Sequence, residues 1–329
     1  MLKWLEGGSL RTRGHVQLAE LERIGAYEVR GLRGRGAMAS VYEGRHAALG
    51  RTSALKLMHA HLARDPIVTE RFLREARALC RVNHPNVVDV FDVGDHHGAP
   101  YLVMSLVDGD DLGEHLRHHH PMTVAAVADL LLPVIAAVAA AYDAGIVDRD
   151  LMPRNIRISH DHRGLLTPKV LDFGIAKLTG DEAGEKVVEA GGILGTASYV
   201  APEQLCSTKH VHARSDVYAL GVILYEAATG RRPFEGRSAR DLMQAIFTAP
   251  IAPPSSFRPE LLASFDAIVL RAMCRDPYER FASARELGHA LAAYASDPEA
   301  WLGELGPSSD TRVAAQRSSG IRLGKRTTR

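Results

Sequence analysis

Asp150, Asn155 and Asp172 are oxygen donors spaced as chemistry on a polyphosphate would need them. The first two lie in the run GIVDRDLMPRN, and the third follows an apolar stretch in KVLDFGIAK. An Asp and an Asn one short loop apart, with a second Asp just past a strand, can hold two metal ions on linked phosphates. The first Asp can also take a proton from an attacking hydroxyl. Upstream, Gly34-Arg35-Gly36-Ala37-Met38-Ala39 nearly spells a Gly-x-Gly-x-x-Gly loop, whose backbone can approach phosphate closely. By itself that string also fits an ordinary tight hairpin. A dinucleotide-binding unit would follow it with a helix, whereas Val41-Tyr42-Glu43 reads as a strand. Lys56, alone, would be a surface lysine on the next strand.

These residues need a scaffold, and the periodicity supplies one. Short alternating strands are expected at Tyr27–Leu32, Ser40–Arg45, Ser53–Leu57, Val87–Val93 and Tyr101–Val107, interrupted by one helix from about Thr69 to Arg81. Helices are expected at Val124–Tyr142, Arg214–Thr229, Ala239–Phe247, Leu261–Cys274 and Ser283–Tyr294, and Ile156–Ile158 with Lys169–Leu171 reads as a hairpin. The fold class is therefore α+β: a small β-rich lobe with one helix over residues 27–107, then a larger helical lobe over 108–295. Residues 1–26 read as an extension, and 296–329, rich in Ser, Arg and Gly, as a disordered tail.

Composition narrows the function classes. A chain of 329 residues with formal charge +1 gives no electrostatic reason to expect nucleic acid or a membrane surface. Cys80, Cys206 and Cys274 are scattered and odd in number, which suits free thiols in a cytoplasmic protein. Val124–Tyr142 is the one membrane-like run; Asp129, Pro133 and its alanines make a buried helix the better reading. His59, His61, His96, His97 and His118–His120 lack Cys or carboxylate partners at ligand spacing and read as solvated loop histidines.

In order and spacing, Gly34–Ala39, Lys56, Asp150, Asn155 and Asp172-Phe173-Gly174 resemble the protein kinases, closest to the bacterial serine/threonine type. The resemblance covers about Tyr27 to Tyr294 and implies a two-lobed fold that transfers the γ-phosphate of ATP, with Mg²⁺, to Ser or Thr of protein substrates. It implies that Asp150 is the catalytic base, that Asn155 and Asp172 ligate Mg²⁺, and that Lys56, paired with Glu75, grips the α- and β-phosphates. Arg33, Gly34, Arg35, Gly36, Ala37, Met38, Ala39, Ser40 and Val41 would cover the nucleotide, with Ala54 also in its roof. Met104, Ser105 and Val107 would meet the adenine, Asp111 the ribose, and Arg157 the adenine floor. Thr196 would hydrogen-bond Asp150, Glu203 would pair with Arg280, and Asp216 would anchor the catalytic loop.

Departures from the family pattern sharpen the question. Asp148 stands where the family has His, and a carboxylate there needs a donor, water or a desolvation cost. Met152 replaces the lysine that touches the γ-phosphate, and Arg154 stands where tyrosine kinases place an arginine with that task. Arg157 and Arg33 replace apolar residues, and Ala39 replaces the third glycine. No hydroxyl lies between Thr179 and Thr196, so Asp181, Glu182, Glu185 or Glu189 is expected to pair with Arg149 in place of a phosphate. The alternative to an enzyme is a pseudokinase that binds nucleotide or scaffolds partners.

Overall fold

The computed structural model describes residues 22–161, 163–174, 196–206 and 212–306. They fall into two compact units: residues 22–65 with Phe91–Leu106, and Pro66–Val90 with 107–306.

The first unit is an antiparallel sheet. Its strands are β1 (Arg23–Ile24), β2 (Tyr27–Arg35), β3 (Ala39–His46), β4 (Thr52–Met58), β5 (Val90–His96) and β6 (Ala99–Met104), in spatial order β1-β2-β3-β4-β6-β5. Successive hairpins account for most of that order, and β6 comes to pair with β4 so that Ala54 faces Met104 and Lys56 faces Leu102. β6 is buried along its whole length and β4 along most of it, as central strands are, and Tyr42, Leu55, Leu57, Tyr101 and Val103 form the core. Val87, expected inside a strand, makes a lone parallel bridge to Val170, and β5 starts three residues later than expected.

The second unit is helical, with a small sheet at its site. Its elements are α1 (Pro66–Leu79), β7 (Asp110–Asp111), α2 (Leu112–His119), α3 (Val124–Asp143), β8 (Ile156–His160), β9 (Leu166–Val170), α4 (Pro202–Cys206), α5 (Ala213–Thr229), α6 (Ala239–Thr248), α7 (Ala263–Ala272), α8 (Ala284–Ala292) and α9 (Pro298–Leu305). Apolar on nearly every side, α3 is long and apolar enough to span a membrane, yet it packs on α5, α8 and β9 and is mostly buried. Similarly enclosed, α5 ends where Gly230 takes φ +69°.

Three further expectations need adjusting, and one helix was not expected. α1 starts at Pro66 rather than near Thr69 and groups with the helical unit instead of the β-rich one. α2 is too short and His-rich for its periodicity to stand out, and it is fixed by its cap: Asp111 Oδ1 accepts from Glu114 N at 2.9 Å. Ile24 of β1 is fully buried, so the sheet begins inside the stretch read as an extension. The expected disordered tail likewise contains α9. Asp297 caps that helix, Pro298 starts it, and Leu305 buries itself against Gly288, while Arg285 and His289 donate to the carbonyls of Leu305 and Gly306. Composition missed α9 because its stability comes from docking, not from its own propensity.

Candidate active site

The loop from Ile146 to Asn155 is held by one buried carboxylate. Asp216, in the first turn of α5, accepts from the backbone N–H of Asp148 at 2.9 Å and of Arg149 at 2.8 Å. Arg149 takes φ +68°, an uncommon conformation for a side-chain-bearing residue, and it gives two successive amides to the same acceptor. Burial pushes the Asp216 carboxyl up to about 6, against the two amide bonds that favour its charge. At the far end of the loop, Asn155 Nδ2 donates to the Asp150 carbonyl at 3.0 Å and Asn155 O accepts from Leu171 N at 2.9 Å. Asn155 therefore links Asp150 to the strand end that carries Asp172, and its Oδ1, without a hydrogen bond among the described residues, could hold a metal.

Asp172-Phe173-Gly174 lies directly against this loop. Phe173 is fully buried, and a Cβ added at Gly174 would stand 2.4 Å from Asp150 Cβ and 2.9 Å from the Asp148 carbonyl oxygen. Only glycine permits that approach. Asp148, which the family pattern left unexplained, has found its donors: Oδ1 accepts from Asp150 N at 3.1 Å and Gly174 N at 3.2 Å. Burial, then the charge of Asp216, holds its carboxyl well above the usual range despite those amide bonds.

A second buried cluster supports the loop from below. Arg280 meets Glu203 through two bonds, at 2.7 and 2.8 Å, as the pattern implied, and Ser215 Oγ donates to the same carboxylate at 2.7 Å. Burial alone would raise Glu203, but its bonds with Arg280 and Ser215 bring it below the ordinary value. Gln204 donates to the Arg149 carbonyl at 3.0 Å, and Tyr199 donates to Glu226 at 2.5 Å. Ser215, Gln204 and Glu226 have no sequence signal beyond lying near motif residues; their roles come from the tertiary contacts of α4, the 196–199 turn and α5 with one another and with the loop.

In the sheet unit, β2 and β3 form the glycine-rich hairpin, with Gly34 opposite Val41, Arg35 opposite Ser40, and Gly36 N donating to Ala39 O at 2.8 Å. A Cβ at Gly34 would meet nothing within 4 Å, and at Gly36 only Ala39 O at 3.4 Å. Among the described residues, packing requires neither glycine, and the bare backbone they leave is suited to close approach of a ligand. Lys56 faces Val41 across β3–β4, beside buried Ala54. Arg33 does not act as an apolar lid: Nε and Nη2 both bond Glu43 on the neighbouring strand. Nor is His59 a solvated loop histidine. Its N–H donates to Met38 O at 2.9 Å, and its Nε2 lies 3.1 Å from the hydroxyl of buried Ser40, so it braces the hairpin at two points.

Other expected site residues fall as follows. Arg157 lies in β8 opposite Asp111, and its Nη1 donates to the Gly109 carbonyl at 3.0 Å. Asp111 uses Oδ1 to cap α2. Met152 is 2% exposed, whereas Arg154, two residues on, is exposed and makes no hydrogen bond or ion pair among the described residues. Glu75 is buried in α1, Met104 is buried at the end of β6, and Ser105 and Val107 are half-buried beyond it. Thr196 opens a short 3₁₀ turn. Its side chain, like the acidic stretch 181–189, lies outside the described residues.

Comparison with known proteins agrees with this geometry. Residues 27–291 match the family described as the protein kinase domain. The chain is 39% identical over 276 residues to serine/threonine-protein kinase PknH of Mycobacterium bovis, covering 84% of this chain and 45% of that one. It is 39% identical over 269 residues to serine/threonine-protein kinase Pkn1 of Myxococcus xanthus, covering 82% and 38%. The crystal structure of the Mycobacterium tuberculosis PknI kinase domain superposes with a TM-score of 0.62 at 30% identity, over 83% of this chain and 98% of that one. The chain thus spans less than half the length of the two full-length relatives.

Proposed function

Because this chain belongs to the protein kinase family, we propose that it transfers the γ-phosphate of ATP to Ser or Thr hydroxyls of protein substrates. The observation that carries this reading is the bond from Asn155 Nδ2 to the Asp150 carbonyl, which sets the base and a metal-ligand side chain in one loop anchored by Asp216. Asp150 would take the proton of the attacking hydroxyl, and Lys56 and the Gly34–Ser40 hairpin would hold the phosphates, with Glu75 orienting Lys56. Asp172 and the Asn155 amide oxygen are hard oxygen donors, few in number, which fits Mg²⁺, an ion that completes its octahedron with water and substrate phosphate. Bound there, Mg²⁺ would neutralise charge on the phosphates. A cytoplasmic location goes with this reading, as the source of ATP and of reduced thiols. Phosphate transfer from γ-labelled ATP with Mg²⁺ to a generic basic protein tests it, and wild-type protein that transfers none would end it.

Arg154 supplies the cation that position 152 lacks. Met152 is buried and uncharged, whereas Arg154 leaves the same loop into solvent with nothing holding it among the described residues. Arg154→Ala should lower kcat by about 100-fold and leave the KM for ATP nearly unchanged, because the contact strengthens as charge develops on the transferred group. Met152→Lys in that background should restore much of the loss. An unaffected Arg154→Ala enzyme would show that the arginine is only a solvated side chain.

The brace at His59 gives a milder prediction. His59→Ala removes a ring bond to Ser40 worth about 1 kcal/mol, so the KM for ATP should rise roughly fivefold with kcat little altered. Steady-state kinetics over ATP concentration read this directly; a change confined to kcat would contradict it.

A further inference from the structure

The catalytic loop and the Asp172–Gly174 segment meet at one side chain. Asp148 Oδ1 accepts from the Asp150 amide at 3.1 Å and from the Gly174 amide at 3.2 Å, while the Asp148 and Arg149 amides go to Asp216. Asp148 is 1% exposed, and its Oδ2 is buried with no hydrogen-bond partner among the described residues. One oxygen accepts twice and the other not at all among the described residues, so the side chain works through a single acceptor atom. The imidazole that the family pattern places here has at most one acceptor nitrogen and is no match for two amides that converge on one oxygen. Nor does the contact have slack, since a Cβ at Gly174 would lie 2.4 Å from Asp150 Cβ.

The geometry points to Asp148 as a positioning residue, whose Oδ1 joins the amide of Asp150 to the amide of Gly174 and so keeps the base and Asp172 in one register. Its effect on rate rests on the phosphotransfer reading above, but the join itself does not. Without the join, Asp150 and Asp172 would lose one of the links that hold them in register, the other running through Asn155, and a misplacement of about 1 Å can lower a rate about 100-fold. Burial disfavours the charged form of this carboxyl and pushes its pKa up, and an asparagine amide has the same shape and offers the same acceptor oxygen.

The test compares Asp148→Asn, Asp148→Ala and Asp148→Leu by two readouts: steady-state kinetics, and hydrogen exchange at the Asp150 and Gly174 amides in the full chain without ligand. Asp148→Asn should keep kcat within about threefold and both amides protected, because the acceptor survives. Asp148→Ala and Asp148→Leu should lose about 100-fold in kcat with the ATP KM within about threefold. In those two variants the Asp150 and Gly174 amides should exchange at least about tenfold faster, while amides of the β3–β4 hairpin stay unchanged. An Asn variant as impaired as Ala, or unaltered exchange in Ala and Leu, overturns the proposal. If Ala and Leu both fail to fold while Asn folds, the residue is merely structural and the positioning role is abandoned. Wild-type protein without phosphotransfer would end the reading above instead, and the exchange measurements would then decide Asp148 alone.

Discussion

Asp150→Asn should lower kcat for phosphate transfer by about 10²- to 10⁴-fold, the usual contribution of a positioned general base. The bond from the Asp150 N–H to Asp148 and the bond from Asn155 Nδ2 to the Asp150 carbonyl involve the backbone, so they survive the change. The asparagine also fits the same space against Gly174, where room is shortest. Binding of ATP with Mg²⁺ should therefore be retained, and the nucleotide should raise the thermal midpoint of wild type and variant alike, since a ligand bound only to the folded state must stabilise it. A loss of less than about fivefold in kcat would remove Asp150 from the base role. Loss of the thermal shift together with activity would instead show that the substitution damaged nucleotide binding.

Arg280→Met should destabilise the helical unit by about 3–5 kcal/mol, the cost of breaking a buried ion pair from one side. Arg280 is 1% exposed and makes five hydrogen bonds: two to Glu203, and one each to the carbonyls of Cys274, Arg214 and Arg275. Its guanidinium also lies over the Tyr218 ring, 4.9 Å from the centroid. Methionine replaces the stem but leaves Glu203 buried with only Ser215 Oγ as a side-chain donor. Urea unfolding should show the loss, and Glu203→Leu in the same background should return part of it, because the orphaned charge is then gone. The pH dependence has a definite sign. Glu203 lies below its ordinary 4.5 in the folded protein, so its pairing contributes fully above 4.5 and is lost as pH falls through the folded value. The gap between wild type and Arg280→Met should accordingly narrow in acid. A gap that widened there, or a destabilisation within about 0.5 kcal/mol, the usual range for an ordinary surface substitution, would contradict the assignment.

Arg280 and Glu203 also show how far the sequence could be read. Their pairing was legible across 77 positions only because DPYERF and Ala201-Pro202-Glu203 resemble family segments; nothing in periodicity places them together. The long amphipathic and apolar runs were legible from physics alone, since a strand or helix that must bury one face repeats its apolar residues at a period of two or 3.6. Short elements such as α2, α4 and α9 were not, because they stand on caps and docking contacts that no period reveals. His59 and Arg33 read as solvated or misplaced for a related reason. What decides them is a neighbour across a strand or turn, Ser40 in one case and Glu43 in the other.

The sequence by itself determined the chemistry on offer: Asp150, Asn155, Asp172 and Lys56 in an order that few other arrangements share, and the alternation of strands and helices that carries them. Those depend on residue type and local spacing, which are written in the chain. Only the tertiary structure decided what Asp148 does. A carboxylate in place of histidine reads as a defect until the amides of Asp150 and Gly174 are seen to converge on its Oδ1. The reason is that the worth of a buried polar group lies in its partners and its desolvation, and folding alone brings a partner 26 residues away to within 3.2 Å.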